Sequence, residues 1–323
     1  MAQLAPLRFE PILKEYLWGG RRLGTDLHKS IGDGPHYAES WEIVDHGDDQ
    51  STVAEGPLAG TCLHKIVVNN GRELFGSHDT RPRFPLLLKY LDCQRVLSVQ
   101  VHPNDEQAAK LDPPDLGKTE AWVVLAADPG SKIYAGLKKG VDRRTLEQEL
   151  ARGNCQVCLH EFEPRAGDCL LIEAGTVHAL GAGLLVAEIQ QASDTTYRLF
   201  DWNRVDRDGK PRPLHIREAL DTIDYSRGPV DPRTPAPTDR RNVQRLVECD
   251  KFVLDRYRAD TVIPLQLDNR FHIVTTVEGS ISLRAGDDAW QLRRGETILV
   301  PASVRDVEVA PHDRAVVLDM YLP

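Results

Sequence analysis

The sequence predicts a mainly β fold with a few helices, and three observations support this. Short apolar or alternating runs lie between turn residues along much of the chain, for example RFPLLLKYLD, EAWVVLAADPG and FHIVTTVEGSISLRAG. Many short strands separated by turn signals are typical of an all-β sandwich or barrel. Helical spacing is confined to a few segments. A strand-and-turn pattern also occurs twice, at residues 167–178 and 295–306, which favours a duplicated barrel.

Three segments carry helical signals. Residues 60–76 have apolar side chains at helical spacing. In residues 141–153, Asp142 is placed to cap the first turn and Gly153 to end the helix. Residues 213–224 form the third predicted helix.

Residues 226–242 are rich in Pro, Arg, Asp and Thr and have no hydrophobic period, which is typical of a linker. We therefore expect an N-terminal domain at residues 1–228, a linker at 229–242 and a C-terminal domain at 243–323.

Composition limits the classes of partner. The net charge of −9 argues against general nucleic-acid binding, which needs a basic surface. No apolar run approaches the roughly 20 residues of a membrane span, and the first residues lack the basic start and apolar block of a signal peptide. The six cysteines are irregularly spaced, which fits reduced thiols in a cytosol. We expect a cytoplasmic protein that acts on a small molecule.

The stretch LSVQVHP carries the first candidate site residues. In a strand, Ser98, Gln100 and His102 share one face, because alternate side chains point the same way. Glu120 precedes the next apolar run, and His178 follows another strand on a Gly-rich turn. Two His, one Glu and one Gln from neighbouring strands can bind zinc, iron or manganese. Each residue alone is more often structural or solvated, so the prediction depends on their combination and order.

This order of residues resembles the two motifs of the cupin superfamily, and longer stretches resemble the type I mannose-6-phosphate isomerases in their shorter bacterial form. The similar stretches are YLWGG, ESWEI, LSVQVHPND, GKTEAW and AGTVHALGAGLLVAEIQQASDTTYRLFDWNR, followed by PLHIREALD. The stretches before PLHIREALD span residues 16–204. Residues 243–323 show only general cupin character. One departure is Glu173, where cupins usually have Pro.

The resemblance implies a zinc enzyme that interconverts mannose 6-phosphate and fructose 6-phosphate through an enediolate. It implies two cupin-type (jelly-roll) barrels, the first catalytic with a few helices inserted in or beside it, and the second degenerate. The family's metal ligands fall on His102, Glu120, His178 and Gln100, with Gln100 the weaker ligand. One zinc per chain is implied, and other divalent metals stay open.

The resemblance also assigns the residues that act on the substrate. The family's catalytic arginine falls on Arg198, and an active-site lysine falls on Lys118. Lys89 and Ser98 match groups associated with the substrate phosphate. The general base stays open between five candidates: Asp194, Lys118, His178, Glu42 and metal-bound hydroxide.

Two other functions stay open: a metal-dependent cupin oxygenase, and a cupin that binds a sugar phosphate without catalysis. An oxygenase has no general need for the cations Lys89, Lys118 and Arg198. The presence of Arg198 and Lys118 with all four predicted ligands argues against a cupin without catalysis. We expect a sugar phosphate as the partner, neither nucleic acid nor membrane, and a monomer or weak homo-oligomer.

The repeat sets an expectation for the C-terminal half. It aligns His178 with Asp306, and the strand FHIVTTVEG offers only His272. One His and one Asp make a poor zinc site. The second barrel is therefore expected to be metal-free, with an interior of apolar side chains such as those of ETILV.

Overall fold

A computed structural model describes residues 4–78, 81–205, 209–265 and 268–323. Of the described residues, 38% lie in strands and 13% in helices, so the prediction of a mainly β protein with few helices is confirmed. All six cysteines are free thiols. No helix of the described ranges is both long and apolar enough to cross a membrane.

The helices include the three predicted from the sequence, at α2, α4 and α5. Asp142 caps α4 by accepting a hydrogen bond from the Thr145 N–H at 2.8 Å. In chain order the helices are α1 (Arg22–Thr25), α2 (Leu63–Phe75), α3 (Asp105–Ala108), α4 (Arg143–Ala151) and α5 (Ile216–Thr222), with a 3₁₀ helix at Cys155–Cys158.

The strands are mostly short, as the spacing of turn residues predicts. Those before the linker are β1 (Phe9–Glu10), β2 (Ile12–Lys14), β3 (Glu39–Ile43), β4 (Asp45–His46), β5 (Asp49–Gln50), β6 (Thr52–Val53), β7 (Leu86–Cys93), β8 (Val99–Val101), β9 (Glu120–Ala127), β10 (Ile133–Leu137), β11 (Leu159–Phe162), β12 (Cys169–Ile172), β13 (His178–Leu180), β14 (Leu184–Gln191) and β15 (Tyr197–Phe200). Those that follow are β16 (Ala236–Pro237), β17 (Val243–Glu248), β18 (Val253–Ala259), β19 (Ile263–Pro264), β20 (His272–Glu278), β21 (Ser280–Ala285), β22 (Asp288–Arg293), β23 (Thr297–Val300), β24 (Val307–Pro311) and β25 (Ala315–Tyr321).

The chain forms two compact units. The first contains the residues up to Lys14, Arg21–Tyr90 and Thr234–Pro323, and the second contains Glu15–Gly20 and Leu91–Arg233. The chain leaves the second unit after Arg233, inside the segment predicted as a linker. The predicted division into domains at 1–228 and 243–323 stays a prediction.

The second unit contains an antiparallel sheet in the order β11-β10-β13-β8-β15. Val99 and Val101 of β8 lie in a buried apolar cluster with Leu146 of α4 and Ala219 of α5. Because side chains alternate along a strand, the residues between them point to the opposite face. On another sheet of this unit, β9 lies between β12 and β14.

In the first unit, the C-terminal strands form two antiparallel sheets. One has the order β16-β17-β18-β25-β20-β23, and the other has the order β19-β24-β21-β22. Both sheets contribute to one buried apolar cluster, which includes Val274, Val309 and Val317. Ile298 and Val300 of the ETILV strand belong to it, as expected for the interior.

His272 and Asp306, the two residues that the sequence offers in the C-terminal half, lie in different surroundings. Asp306 is exposed in a turn with φ of 52°. His272 instead contacts Asp319 of β25, with 2.9 Å between Nδ1 and Oδ1, and both residues are fully buried. The Asp268 carboxylate lies 3.8 Å from the His272 Nε2. Burial lowers the pKa of His272, but Asp319 and Asp268 outweigh this effect and raise the pKa to about 9.

We predict that the stability of the protein depends on pH through His272. Its pKa is raised on folding, from about 6.5 in the unfolded chain, so the ion pair stabilises the folded state fully below that pH. This contribution, on the order of 3 kcal/mol, is lost as the pH rises through 9. Chemical denaturation between pH 6 and 10 should show a falling free energy of unfolding for the parent protein. The His272→Gln variant should show a flatter profile, and equal slopes in both proteins would contradict the assignment.

Candidate active site

Three predicted ligands converge in the second unit. His102 directly follows β8, Glu120 begins β9 and His178 begins β13. One ligand atom from each lies within 4.8 Å of the others, and each residue is at most 1% exposed. Within the described ranges, no other group of three His, Cys, Asp or Glu residues converges in this way.

Two backbone carbonyls orient the imidazoles. The Nδ1 of His102 lies 2.9 Å from the carbonyl oxygen of Thr195, and the Nδ1 of His178 lies 2.9 Å from that of Thr176. A carbonyl oxygen only accepts, so each Nδ1 carries the hydrogen and each Nε2 offers a lone pair. The His102 Nε2 is 3.5 Å from Glu120 Oε2, and the His178 Nε2 is 3.3 Å from Glu120 Oε1. Metal-binding histidines are commonly held in this way.

Burial keeps His178 neutral. It lowers the pKa of His178 to about 4, and the nearby Lys118 ammonium adds to this effect. A neutral imidazole can bind a metal at pH 7, whereas an imidazolium cannot. Two imidazoles and one carboxylate are a ligand set that zinc, iron and manganese accept. The residues present therefore fit a divalent metal ion.

Gln100 lies beside the three ligands. In the antiparallel pairing of β8 with β13, it is directly opposite His178, and its Nε2 is 3.4 Å from the His178 Nε2. The Ser98 hydroxyl donates to Gln100 Oε1 at 3.4 Å. The structure thus brings Gln100 to the cluster, and its role as a metal ligand stays a prediction.

Lys118 is buried between carboxylates. Its ammonium donates a hydrogen bond to Glu120 and lies 3.0 Å from His102 Nε2. A second carboxylate, that of Glu188, is 3.7 Å away. A buried ammonium requires such partners because the cost of removing it from water is high. Lys118 is therefore fixed next to the atoms that would hold the metal.

The sequence analysis missed Glu188. It lies on β14 opposite Trp122 of β9, and its Oε2 accepts a hydrogen bond from the Trp122 indole at 2.9 Å. The Trp122 ring contacts the edge of His178, with 5.3 Å between centroids. The signal available in the sequence was a single acid in the apolar run LLVAEI.

Arg198 continues the row of polar side chains that His178, Gln100 and Ser98 begin. It is opposite Gln100 in the pairing of β15 with β8, so the two side chains share one face. Its Nε donates to the Ser98 hydroxyl at 3.3 Å, and its Nη1 donates to the Pro213 carbonyl at 2.8 Å. Burial and the neighbouring Arg212 lower the pKa of Arg198 from its usual value. His178, Gln100, Ser98 and Arg198 thus form a continuous row of polar contacts.

Comparison with known proteins identifies the family. A model of the type I phosphomannose isomerase catalytic domain matches residues 7–126, and a model of the mannose-6-phosphate isomerase cupin domain matches residues 242–319. The chain is 31% identical to mannose-6-phosphate isomerase ManA of Bacillus subtilis, over 97% of this chain and 98% of that protein. The chain belongs to the type I phosphomannose isomerase family. It is also 32% identical to mannose-6-phosphate isomerase of Streptococcus mutans, over 93% of each chain.

A solved structure gives the same fold. The crystal structure of mannose 6-phosphate isomerase from Bacillus subtilis superposes with a TM-score of 0.90 at 29% identity. The match covers 99% of this phosphomannose isomerase family member and 100% of that chain. The mainly β architecture with few helices is therefore that of a known family structure.

The remaining predicted site residue of this phosphomannose isomerase family member, Lys89, lies in the first unit. It is a buried residue of β7, with its ammonium 3.5 Å from Glu39 Oε2 and 5.7 Å from the centre of the Trp41 ring. Its assignment to the substrate phosphate stays a prediction. Among the candidate bases, Glu42 is bound to Lys29 at 2.6 Å and Asp194 is exposed. These contacts do not select a base.

We predict that the protein binds one divalent metal per chain through His102, Glu120 and His178. Elemental analysis of protein purified without added metal should give close to one metal per chain. His102→Ala should lose most of this metal and its activity, because one of three protein ligands is gone. His64→Ala, which alters a half-exposed histidine, is the control and should retain the metal. Full activity of a metal-free preparation would contradict the prediction.

Proposed function

We propose that the chain is a metal-dependent aldose–ketose isomerase that interconverts mannose 6-phosphate and fructose 6-phosphate. The observation that carries this proposal is the convergence of His102, Glu120 and His178 beside a buried Lys118. The near full-length similarity to proteins named mannose-6-phosphate isomerase supports the choice of substrate.

The reaction explains why cations and a metal site lie together. Moving a carbonyl between C1 and C2 requires removal of a carbon-bound proton beside a carbonyl, which produces an enediolate. A metal ion bound by the three ligands would polarise the sugar oxygens as a Lewis acid. Lys118 donates hydrogen bonds from a buried, fixed position, so it can stabilise an oxyanion without reorganisation. Arg198, in the same polar row, supplies a second cation.

We further propose zinc as the metal, with one ion per chain and Gln100 as a weaker fourth ligand. Two histidines and one glutamate are a ligand set of catalytic zinc sites, which keep a position open for water or substrate. Other divalent metals of similar preference stay open.

The proposed organisation has a catalytic cupin domain at 1–228, a linker at 229–242 and a degenerate cupin domain at 243–323, each cupin being a jelly-roll barrel. The match of a cupin-domain model to residues 242–319 supports the second domain. We also propose a cytoplasmic monomer or weak homo-oligomer, with a small sugar phosphate as its partner. The six free thiols support a reducing compartment.

A coupled assay tests the proposed activity. Mannose 6-phosphate is added to the zinc-loaded protein, and fructose 6-phosphate is followed through auxiliary enzymes to NADPH formation. We expect turnover that a chelator abolishes and zinc restores. Oxygen consumption with iron would instead indicate an oxygenase. Sugar-phosphate binding without turnover would indicate a non-catalytic cupin.

We predict that Lys89 contributes to recognition of the substrate phosphate. The net charge of −9 repels a phosphate, so local cations must reverse the field. Lys89→Ala should raise KM for mannose 6-phosphate about tenfold, as expected for loss of a charge-assisted hydrogen bond, and should change kcat less. Its effect on unphosphorylated mannose should be smaller.

The matched control for this experiment is Lys14→Ala. Lys14 also lies over the Trp41 ring, at 4.6 Å, but forms its ion pair with Asp49. Because Lys89 is buried, thermal denaturation of each variant separates a folding defect from a binding defect. Equal changes for both sugars would remove Lys89 from the phosphate site, and Ser98 would remain its predicted contact.

A further inference from the structure

One backbone carbonyl determines how His102 can bind a metal. The Thr195 carbonyl, in the loop between β14 and β15, accepts the hydrogen bond from His102 Nδ1 at 2.9 Å. This contact places the hydrogen on Nδ1 and leaves the Nε2 lone pair for a ligand. If the carbonyl moved away, the ring could rotate or exchange tautomers. The position of the Thr195 carbonyl therefore affects the geometry of the proposed metal site.

The carboxylate of Asp115 binds this loop at two hydroxyls. Asp115 Oδ2 accepts hydrogen bonds from the hydroxyl of Ser193 at 2.8 Å and from that of Thr195 at 3.0 Å. The Ser193 hydroxyl also accepts from the Thr195 N–H at 3.3 Å, and the Gln190 side chain donates to the Ser193 carbonyl at 2.6 Å. Each oxygen of an ionised carboxylate has lone pairs for two hydroxyl donors, and a charged acceptor forms stronger hydrogen bonds than a neutral one.

Asp115 is itself attached to the segment that follows His102. Its N–H donates to the Ala108 carbonyl, at the end of α3, at 3.1 Å. Nearby, Asp105 Oδ1 accepts from the Gly117 N–H and from the Gln191 side chain, each at 2.8 Å. These bonds join the loop at 109–117 both to α3 and to the end of β14. Asp115 therefore connects two well-anchored segments, one of which is α3, beginning three residues after His102.

We propose that Asp115 is a positioning residue for the metal ligand His102, acting through the hydroxyl and carbonyl of Thr195. Asp115 binds the Thr195 hydroxyl, and the Thr195 carbonyl orients the His102 ring. Asp115 thereby contributes indirectly to metal affinity. The inference depends on the proposed function in one respect, namely that His102 binds the metal. Outer-shell partners of metal ligands typically change metal affinity or activity by about 10- to 100-fold when they are removed.

The test measures binding of Co²⁺ to the full-length apoprotein by its visible absorption. Asp115→Ala should raise the Co²⁺ dissociation constant about 10- to 100-fold. Asp115→Asn should have a smaller effect, because its carboxamide oxygen still accepts from the two hydroxyls. Asp112→Asn is the matched control, since Asp112 is an exposed aspartate of the same loop, and it should bind Co²⁺ like the parent protein.

A second variant tests the route through Thr195. Thr195→Val removes the hydroxyl that donates to Asp115 but keeps the carbonyl that accepts from His102. It should also weaken Co²⁺ binding, and the double variant should bind no more weakly than Asp115→Ala alone. Long-range ¹H–¹⁵N spectra of histidine-labelled apoprotein should show the Nδ1–H tautomer of His102 in the parent and a changed signal in Asp115→Ala.

The possible failures are distinguishable. If the parent protein binds Co²⁺ and isomerises mannose 6-phosphate while Asp115→Ala binds Co²⁺ equally well, this inference alone is overturned. If the losses of Co²⁺ binding free energy in Asp115→Ala and Thr195→Val add up in the double variant, the route through Thr195 is overturned. If Asp115→Ala does not fold by circular dichroism, unchanged binding by Thr195→Val overturns the proposal. A parent protein without Co²⁺ binding at His102 would overturn the proposed function as well.

Discussion

The antiparallel register of β8 with its two neighbours determines which side chains meet in the second unit. Gln100 lies opposite His178 on one side and opposite Arg198 on the other. A shift of one residue in either pairing would turn the polar side chains toward the apolar cluster that contains Val99 and Val101. The apolar cluster thus fixes the register, and the register brings the candidate metal ligand His178 and the cation Arg198 to the same position of β8.

Burial sets the second constraint on the site. Glu120, Lys118 and Glu188 are each at most 3% exposed, so each charge needs a partner. The lysine lies between the two carboxylates, while burial keeps His178 neutral. The charges therefore stay fixed with little water present. Fixed charges in such surroundings are the arrangement that stabilises a developing oxyanion most effectively.

Sequence reasoning found the residues whose type or spacing carries information. The alternation at 98–102 predicts that Gln100 and His102 share a face, and the order of motifs adds Glu120 and His178. The hydrogen bond to the Thr195 carbonyl could not be predicted, because a backbone carbonyl has no residue signature. Asp115 was missed for a related reason: its two hydroxyl donors lie 78 and 80 positions away.

The same limit applies to the partner of His272. The internal repeat aligns His178 with Asp306 and does not include His272, so it indicates no partner for this residue. The real partner, Asp319, lies on a different strand 47 positions away, and only the pairing of β20 with β25 brings it near. A local repeat can indicate a duplicated strand pattern, but it does not identify contacts between strands.

The two strand pairs carry an acid at corresponding positions but give it different partners. In the second unit, Glu120 lies two residues before Trp122, which is opposite Glu188 on β14. In the first unit, His272 lies two residues before Val274, which is opposite Asp319 on β25. An acid is thus present at the same place on both partner strands.

The residue two positions before decides which partner this acid takes. Where that residue is a glutamate, the acid remains available to hold a lysine beside it. Where that position is a histidine, the acid binds the imidazole directly and the two charges satisfy each other. Because His272 and Asp319 pair with each other, no group of three metal-binding side chains converges around His272 among the described residues. The histidine at this strand position therefore accounts for the ion pair that the acid of the partner strand forms in the first unit.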